Sequence, residues 1–274
     1  MTDWKLPETY NFHGREVRYG VTGSGPPLVI VHGTPWSSFN LRHVIQGLSK
    51  DFTVYFHDLI GYGQSDKGKG DVSLGVQNKV LDELLTHWEL ESPVAVGHDF
   101  GGATLLRTHL INGRDFEKMV FIDPVAVSPW GSPFFRHVNE YEAAFAGVPD
   151  FIHDAIVRAY VGTAAYKTLG TDVLDAIVEP WATGDGKAAF YRQIAQADSS
   201  YTDEVEPQYS SIERPVLILW GEEDTWIPIA RGERLHEMIP GSVLRTVSDA
   251  GHLVIEEKPE ELLQQIHLFL LKQT

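Results

Sequence analysis

Short apolar runs recur along both ends of the chain. The run LVIVHG (28–33) begins with four consecutive apolar residues, which is typical of a strand buried on both faces of a parallel sheet. The further strand candidates are EVRYGVT (16–22), TVYFHD (53–58), PVAVGHD (93–99), MVFID (119–123), PVLILWG (215–221) and SVLRTV (242–247).

Helical patterns lie between the strand candidates. In the segment 76–90 the apolar residues recur three or four positions apart, so that they share one face of a helix. The segments 102–111 and 259–272 also have a helical pattern. Strands that alternate with helices predict an α/β protein with a mostly parallel central sheet flanked by helices.

The alternation stops between about Pro124 and Ile212. That stretch is rich in aromatic residues and has helical patterns, such as 151–161 and 187–197, without a clear central strand. We therefore predict a core built from residues 1–123 and 212–274, and a helical cap insertion, 124–211, over the carboxyl edge of the sheet. Most of the aromatic side chains in the cap are expected to fill its own core.

The composition fits one large domain and excludes several classes of function. The 274 residues are 43% hydrophobic, enough to bury a sizeable core. The 38 acidic and 22 basic residues give a net charge of −16, which argues against nucleic acids and anionic membranes as partners. Without cysteine, disulfides, thiolate metal ligands and a cysteine nucleophile are excluded.

The chain contains no pattern typical of export or membrane insertion. Residues 1–14 have no apolar run of the kind found in signal peptides. No stretch approaches the roughly 20 apolar residues that span a bilayer. We therefore expect a soluble cytoplasmic protein.

The segment GHDFGG (97–102) joins a predicted buried strand to a predicted helix through glycines. A sharp turn of this kind lifts its central residue, Asp99, above the sheet and requires small neighbours. The amino terminus of the following helix favours an ionised carboxylate at this point. Asp99 therefore stands where many hydrolases have a serine nucleophile, with an ordinary helix N-cap as the alternative interpretation.

Two further strand ends carry the partners that a nucleophile needs. Asp224 follows the strand PVLILW, and His252 follows SVLRTV in the motif DAGH (249–252). The chain order nucleophile, acid, histidine is that of the α/β-hydrolase triad. Asp123, at the end of another strand, is a rival for the role of the acid.

The loop after the strand LVIV has the sequence His32-Gly33-Thr34-Pro35-Trp36. We expect a backbone N–H of this loop, at Thr34, and the N–H of Phe100 to form an oxyanion hole. A dinucleotide-binding loop is the competing interpretation of a glycine-rich segment, but GSGPP (23–27) precedes a strand and lacks the third glycine.

Five motifs, spread over nearly all of the predicted core, point to one family. They are HGTPWSSFNLR (32–42), DLIGYGQSDKG (58–68), GHDFGG (97–102), WGEEDTWIP (220–228) and DAGH (249–252). The chain resembles enzymes of the α/β-hydrolase fold, and within them the branch with an aspartate nucleophile, the haloalkane dehalogenases and epoxide hydrolases.

The aspartate suggests the class of reaction. A carboxylate suits displacement at a saturated carbon, whereas a serine alkoxide suits attack on a carbonyl. Asp99 would expel a halide or open an epoxide to form an alkyl ester, which water activated by His252 would hydrolyse while Asp224 orients the imidazole. This chemistry needs no cofactor, and no metal-binding motif is present.

The resemblance leaves the leaving group open. Haloalkane dehalogenases commonly hold halide with a Trp after the nucleophile and an Asn or Trp elsewhere; Phe100 and Thr34 stand at these places. The arginines that fluoroacetate dehalogenases carry after the nucleophile are Phe100 and Ala103 here, which disfavours a haloacid. Epoxide hydrolases need His-Gly-x-Pro, as in residues 32–35, and tyrosines in the cap. The candidate tyrosines are Tyr141, Tyr160, Tyr166, Tyr191 and Tyr201.

We expect a deep apolar pocket under the cap that takes a small, neutral, apolar substrate. The residues predicted to line it, besides Phe100, are Trp36, Trp130, Trp181 and Tyr141. Two other functions are consistent with the sequence. A nucleophile lost from a serine ancestor would leave a non-catalytic, small-molecule-binding homologue, and an ester or C–C bond hydrolase would keep the triad with another substrate.

Overall fold

A computed structural model describes residues 4–182 and 184–271 of the chain. Within them, eight strands form one sheet in the order β1-β2-β4-β3-β5-β6-β7-β8. The strands are β1 (Glu8–Phe12), β2 (Arg15–Gly23), β3 (Pro27–Val31), β4 (Thr53–His57), β5 (Val94–His98), β6 (Met119–Ile122), β7 (Val216–Gly221) and β8 (Val243–Val247). The pairings of β2 with β1 and β4 are antiparallel and all others are parallel, which confirms the mostly parallel sheet.

Helices cover the sheet. In the described ranges they are α1 (Arg42–Leu48), α2 (Leu74–His87), α3 (Phe100–Leu110), α4 (Pro133–Ala146), α5 (Asp150–Gly162), α6 (Thr171–Ala182), α7 (Gly186–Ala195), α8 (Ser200–Asp203), α9 (Ala230–Met238), α10 (Val254–Glu257) and α11 (Pro259–Leu270). Short 3-10 turns lie at Ser38–Leu41 and Glu206–Ser211. None of these helices has the length and apolar character needed to cross a membrane.

The central strands are apolar because both of their faces are covered. All residues of β5, β6 and β7 are buried. Their register pairs His98 with Ile122, and Ile122 with Leu219. The carboxyl ends of neighbouring strands are therefore level, and the residues that follow them, Asp99 and Asp123, lie at the same edge of the sheet.

Helices α4 to α8 form a helical insertion between β6 and β7. It buries apolar and aromatic side chains of its own, including Val157, Phe190 and Tyr191. It also contacts the edge of the sheet, because Trp181 in α6 donates from Nε1 to the carbonyl oxygen of Pro35 at 2.9 Å. The exact division into a core of 1–123 and 212–274 and a cap of 124–211 stays a prediction.

Candidate active site

Asp99 occupies the turn between β5 and α3. Its backbone has φ 54° and ψ −120°, a conformation that residues other than glycine rarely adopt. Its side chain is only 3% exposed. The turn is tight enough that a β-carbon at Gly101 would lie 2.0 Å from the carbonyl oxygen of Val31. The chain thus holds a strained, buried carboxylate at the carboxyl edge of the sheet.

The structure brings the three residues of the predicted triad together. His252 Nδ1 lies 2.8 Å from Asp224 Oδ2, and His252 Nε2 lies 3.2 Å from Asp99 Oδ2. The other oxygen of Asp224 accepts the backbone N–H groups of Trp226 at 2.8 Å and Ile227 at 2.9 Å. The loop after β7 therefore fixes the acid, and the acid orients the imidazole between the two carboxylates.

The surroundings of His252 favour its protonated form. Burial opposes a charge on this side chain, but Asp224 and Asp99 outweigh it and raise the pKa of His252 well above its usual 6.5. Behind it, His98 donates from Nε2 to the carbonyl oxygen of His252 at 2.9 Å. Burial, aided by the charge on His252, lowers the pKa of His98 to about 3, so His98 is neutral at physiological pH.

Asp123 makes no hydrogen bond to the histidine. Its Oδ1 accepts the N–H of Gly221 at 2.9 Å, and no described residue binds its buried Oδ2. Burial and the neighbouring charge of Asp224 raise the pKa of Asp123 well above its usual value, which favours the neutral form of this carboxyl group. The geometry therefore favours Asp224 over Asp123 as the acid of the triad.

Exchanging each carboxyl for an amide tests this choice. We expect Asp224→Asn to lower kcat by about 10³- to 10⁴-fold, because the amide loses the charge that stabilises the imidazolium. Asp123→Asn should lower kcat by less than about tenfold, since burial already favours the neutral carboxyl group and the amide is of similar size. Steady-state kinetics of both variants give the comparison, and the reverse order of effects would assign the acid to Asp123.

The loop 32–36 faces the other side of Asp99. The N–H of Thr34 donates to Asp99 Oδ1 at 2.5 Å. A β-carbon at Gly33 would lie 2.1 Å from the same oxygen, so only glycine permits this approach. The N–H of Phe100 belongs to the first turn of α3 and has no acceptor within the helix. The Thr34 N–H therefore contacts Asp99, and the role of both N–H groups as oxyanion donors stays a prediction.

His32 has a structural role, because its hydrogen bonds hold the loop 32–36 in place. Its Nε2 accepts the N–H of Leu59 at 2.9 Å, and its Nδ1 lies 2.8 Å from the carbonyl oxygen of Gly33. With both ring nitrogens bound in this way the imidazole is neutral and its proton is on Nδ1. His32 therefore ties the loop after β3 to the loop after β4.

A narrow cavity opens onto Asp99. The cavity has a volume of about 360 Å³, including the part that opens to solvent. Its lining is mostly apolar and aromatic and consists of Thr34, Asp99, Phe100, Val125, Trp130, Gly131, Ser132, Phe135, Tyr160, Trp226 and Ile227. Phe100 and Trp130 meet edge to face, with ring centroids 5.6 Å apart.

Three of the four tryptophan and tyrosine residues predicted to line the pocket do not. Trp36 is buried against Trp226, with ring centroids 5.6 Å apart, and Trp181 is buried against Pro35. Tyr141 is 46% exposed on a bent part of α4. These three predictions are wrong because the aromatic pattern does not reveal which way a side chain turns. Trp130 does line the cavity.

The structure distinguishes one tyrosine among the five candidates. Tyr160, in α5, lines the cavity together with Asp99. Tyr166 is 49% exposed, and the hydroxyl of Tyr191 lies 3.0 Å from His153 Nδ1 inside the helical insertion. Tyr201 lies under the guanidinium group of Arg107.

Several residues that line the cavity were not predicted from the sequence. They are Val125, Gly131, Ser132, Phe135, Trp226 and Ile227. Trp226 had a signal, because it stands two residues after Asp224 in one of the family motifs. In the described ranges no three His, Cys, Asp or Glu side chains are arranged to hold a metal ion. The absence of a cofactor stays a prediction.

This chain is similar in sequence and fold to several hydrolases. The sequence model of the alpha/beta hydrolase family matches residues 28–265. An alpha/beta hydrolase fold protein from Burkholderia ambifaria is 45% identical, with a TM-score of 0.94 over 96% of this chain and 97% of that chain. The uncharacterized hydrolase YugF of Bacillus subtilis is 28% identical over 89% of each chain. The haloalkane dehalogenase DatA of Agrobacterium tumefaciens is 21% identical, with a TM-score of 0.80 over 96% of both chains, a likeness of fold alone.

Proposed function

We infer that this chain, which belongs to the alpha/beta hydrolase family, hydrolyses a bond at a saturated carbon through an ester on Asp99. The observation that carries the proposal is the position of the Asp99 carboxylate. One oxygen lies 2.5 Å from the Thr34 nitrogen and the other lies 3.2 Å from His252 Nε2. A carboxylate between an oxyanion donor and a base has the partners that formation and hydrolysis of an ester need.

The leaving group that the cavity suits best is an epoxide oxygen. Such an oxygen needs a proton donor, and the Tyr160 side chain lines the cavity beside Asp99. Burial, and then the charge of Asp99, raise the pKa of Tyr160 well above its usual value, so the hydroxyl keeps its proton. Tyr160 therefore fits the role of the acid in ring opening.

A halide site has less support. Halide would need free N–H donors, but Trp130 donates from Nε1 to Thr202 at 2.8 Å. Trp226, the other tryptophan of the cavity, donates from Nε1 to Thr163 at 2.9 Å. With these donors occupied and an otherwise apolar lining, a small, neutral, apolar epoxide is the proposed substrate class.

The proposed reaction has two half-reactions, formation of the ester on Asp99 and its hydrolysis. Asp99 attacks an epoxide carbon, the ring C–O bond breaks, and the released oxygen takes the proton of Tyr160. The proton held on His252 restores the Tyr160 hydroxyl and leaves a neutral imidazole. That imidazole takes a proton from water as the water oxygen bonds to the carbonyl carbon of the ester and the C=O electron pair moves onto the carbonyl oxygen. The pair then returns to re-form the C=O bond. The bond to the alkyl oxygen then breaks, and the departing oxygen takes the second proton of the water.

A substrate panel tests the proposal directly. The protein is incubated with styrene oxide and cyclohexene oxide, and with bromobutane and iodobutane, while diol and halide release are measured. We expect diol from at least one epoxide and little halide. Halide release without diol would assign the other leaving group. Release of neither would leave the binding-protein and the ester or C–C hydrolase alternatives.

Tyr160→Phe tests the role of the tyrosine. Because the variant has no proton to donate to the epoxide oxygen, kcat/KM for styrene oxide should fall by about 10²-fold or more. Tyr166→Phe is the matched control, since Tyr166 is 49% exposed and is not part of the cavity lining. An unchanged kcat/KM in Tyr160→Phe would remove Tyr160 from the chemistry.

A further inference from the structure

Trp226 contacts several elements of the site. Its indole stacks on the imidazole of His252, with ring centroids 5.3 Å apart and planes 27° apart. It also stacks on Tyr160 at 4.5 Å and 23°, and on Trp36 at 5.6 Å and 16°. The indole thus contacts both the proposed base and the proposed acid of the reaction.

Hydrogen bonds fix Trp226 from two directions. Its backbone N–H donates to Asp224 Oδ1 at 2.8 Å, on the side of the sheet. Its Nε1 donates to the hydroxyl of Thr163 at 2.9 Å, at the end of α5 in the helical insertion. The orientation of the indole ring is therefore fixed from two sides, by the loop that carries Asp224 and by the helix that carries Tyr160.

We propose that Trp226 is a positioning residue for ester hydrolysis, where its indole face holds the imidazole of His252 and favours the imidazolium formed as water is deprotonated. The role rests on the proposed function. In this step a water O–H bond breaks and the proton goes to His252 Nε2. The water oxygen bonds to the carbonyl carbon of the ester as the C=O electron pair moves onto Oδ1 of Asp99, beside the Thr34 N–H. A cation over an indole face is attracted to it, so the stack stabilises the product of this proton transfer.

The effect should be specific to the second half-reaction. Formation of the ester requires attack by Asp99 and a proton from Tyr160, and neither event changes the charge on His252. His252 gives its proton to Tyr160 only after the ring has opened. Hydrolysis of the ester creates a charge on His252. The other titratable groups that influence His252 are Asp99, Asp224, Asp123 and His98. Esterification removes the charge of Asp99, and burial favours the neutral forms of Asp123 and His98. Asp224 still favours the imidazolium while the ester exists. The indole is then one of two groups that favour the imidazolium.

The test follows the ester in a single turnover with styrene oxide, by rapid quench and intact-protein mass spectrometry, over a range of pH. We expect Trp226→Leu to slow ester decay by about tenfold and to change ester formation less. Decay needs neutral His252, so it falls at low pH. Without the indole the imidazolium is less favoured, and the midpoint of this fall should move to lower pH. Trp226→Phe should lie between the parent and Trp226→Leu.

Trp130→Leu is the matched control. Trp130 also lines the cavity, but its indole meets Phe100 edge to face and does not stack on His252. This variant should alter substrate binding and ester formation and leave the pH midpoint of decay in place. If Trp226→Leu does not fold, the shift in Trp226→Phe decides.

The outcomes separate this role from the proposed function. If the parent forms no ester with any epoxide or haloalkane of the panel, the proposed function fails and this role fails with it. If the ester forms and decays at the parental rate in the Trp226 variants, the role alone is wrong. Slower decay with an unmoved pH midpoint would also overturn it, because this would reduce Trp226 to a packing residue.

Discussion

Asp99→Gly is expected to abolish turnover, with a loss in kcat of at least about 10⁴-fold, and yet to yield a protein at least as stable as Asp99→Ala. Without the carboxylate no ester can form, so both variants should be inactive. Their stabilities should differ because of the backbone at this position, where φ is 54° and ψ is −120°. Glycine adopts this conformation without strain, whereas alanine retains strain of about 1–3 kcal/mol.

The test measures activity and stability of the same variants. Turnover of the best epoxide is assayed alongside thermal unfolding followed by circular dichroism for the parent, Asp99→Gly and Asp99→Ala. Elsewhere in folded elements glycine is usually the less stable choice, by roughly 0.5–1 kcal/mol. A lower melting temperature for Asp99→Gly than for Asp99→Ala would show that the turn is not strained. Full activity in either variant would exclude Asp99 as the nucleophile.

His252→Gln should stop the reaction half-way. Glutamine cannot take a proton from water, so decay of the ester should slow by about 10²- to 10⁴-fold while the ester still forms. Intact-protein mass spectrometry should then detect a stoichiometric adduct. Its mass should equal that of a whole epoxide, or that of a haloalkane less its hydrogen halide.

Peptide mapping locates the adduct. We expect it in the peptide that contains Asp99. Asp99→Gly treated with the same substrate serves as the control and should remain unmodified. If His252→Gln turns over without an accumulating adduct, a water molecule attacks the substrate directly and the ester mechanism is wrong.

The strands that could be located most directly from the sequence are those that are buried along almost their whole length. The strands β3, β5, β6 and β7 are buried almost throughout, and a run of apolar residues is enough to locate such a strand. The strand β1 was not predicted, because most of its residues are exposed or partly exposed and its sequence, ETYNF, has no continuous apolar pattern.

The contacts around Asp99 could be predicted for a topological reason. Asp99, Asp224 and His252 each follow a strand of one sheet, and the carboxyl ends of parallel strands meet at one edge. The cavity wall could not be predicted in the same way. A helical pattern places Tyr141 on α4 and Tyr160 on α5 but does not state which face of each helix is turned toward Asp99. That depends on how helices pack against each other over long sequence separations.

The two oxygens of Asp99 have different neighbours, the N–H of Thr34 for Oδ1 and the imidazole of His252 for Oδ2. In the proposed reaction Oδ1 stays in the oxyanion hole while Oδ2 bonds to the alkyl group and departs with it. Water then supplies a new oxygen at the vacated place. The atom that attacks is thus replaced from solvent in every cycle, and each product after the first carries the oxygen that water delivered one cycle earlier. The other oxygen of the same carboxylate, Oδ1, stays in place from the synthesis of the polypeptide onward.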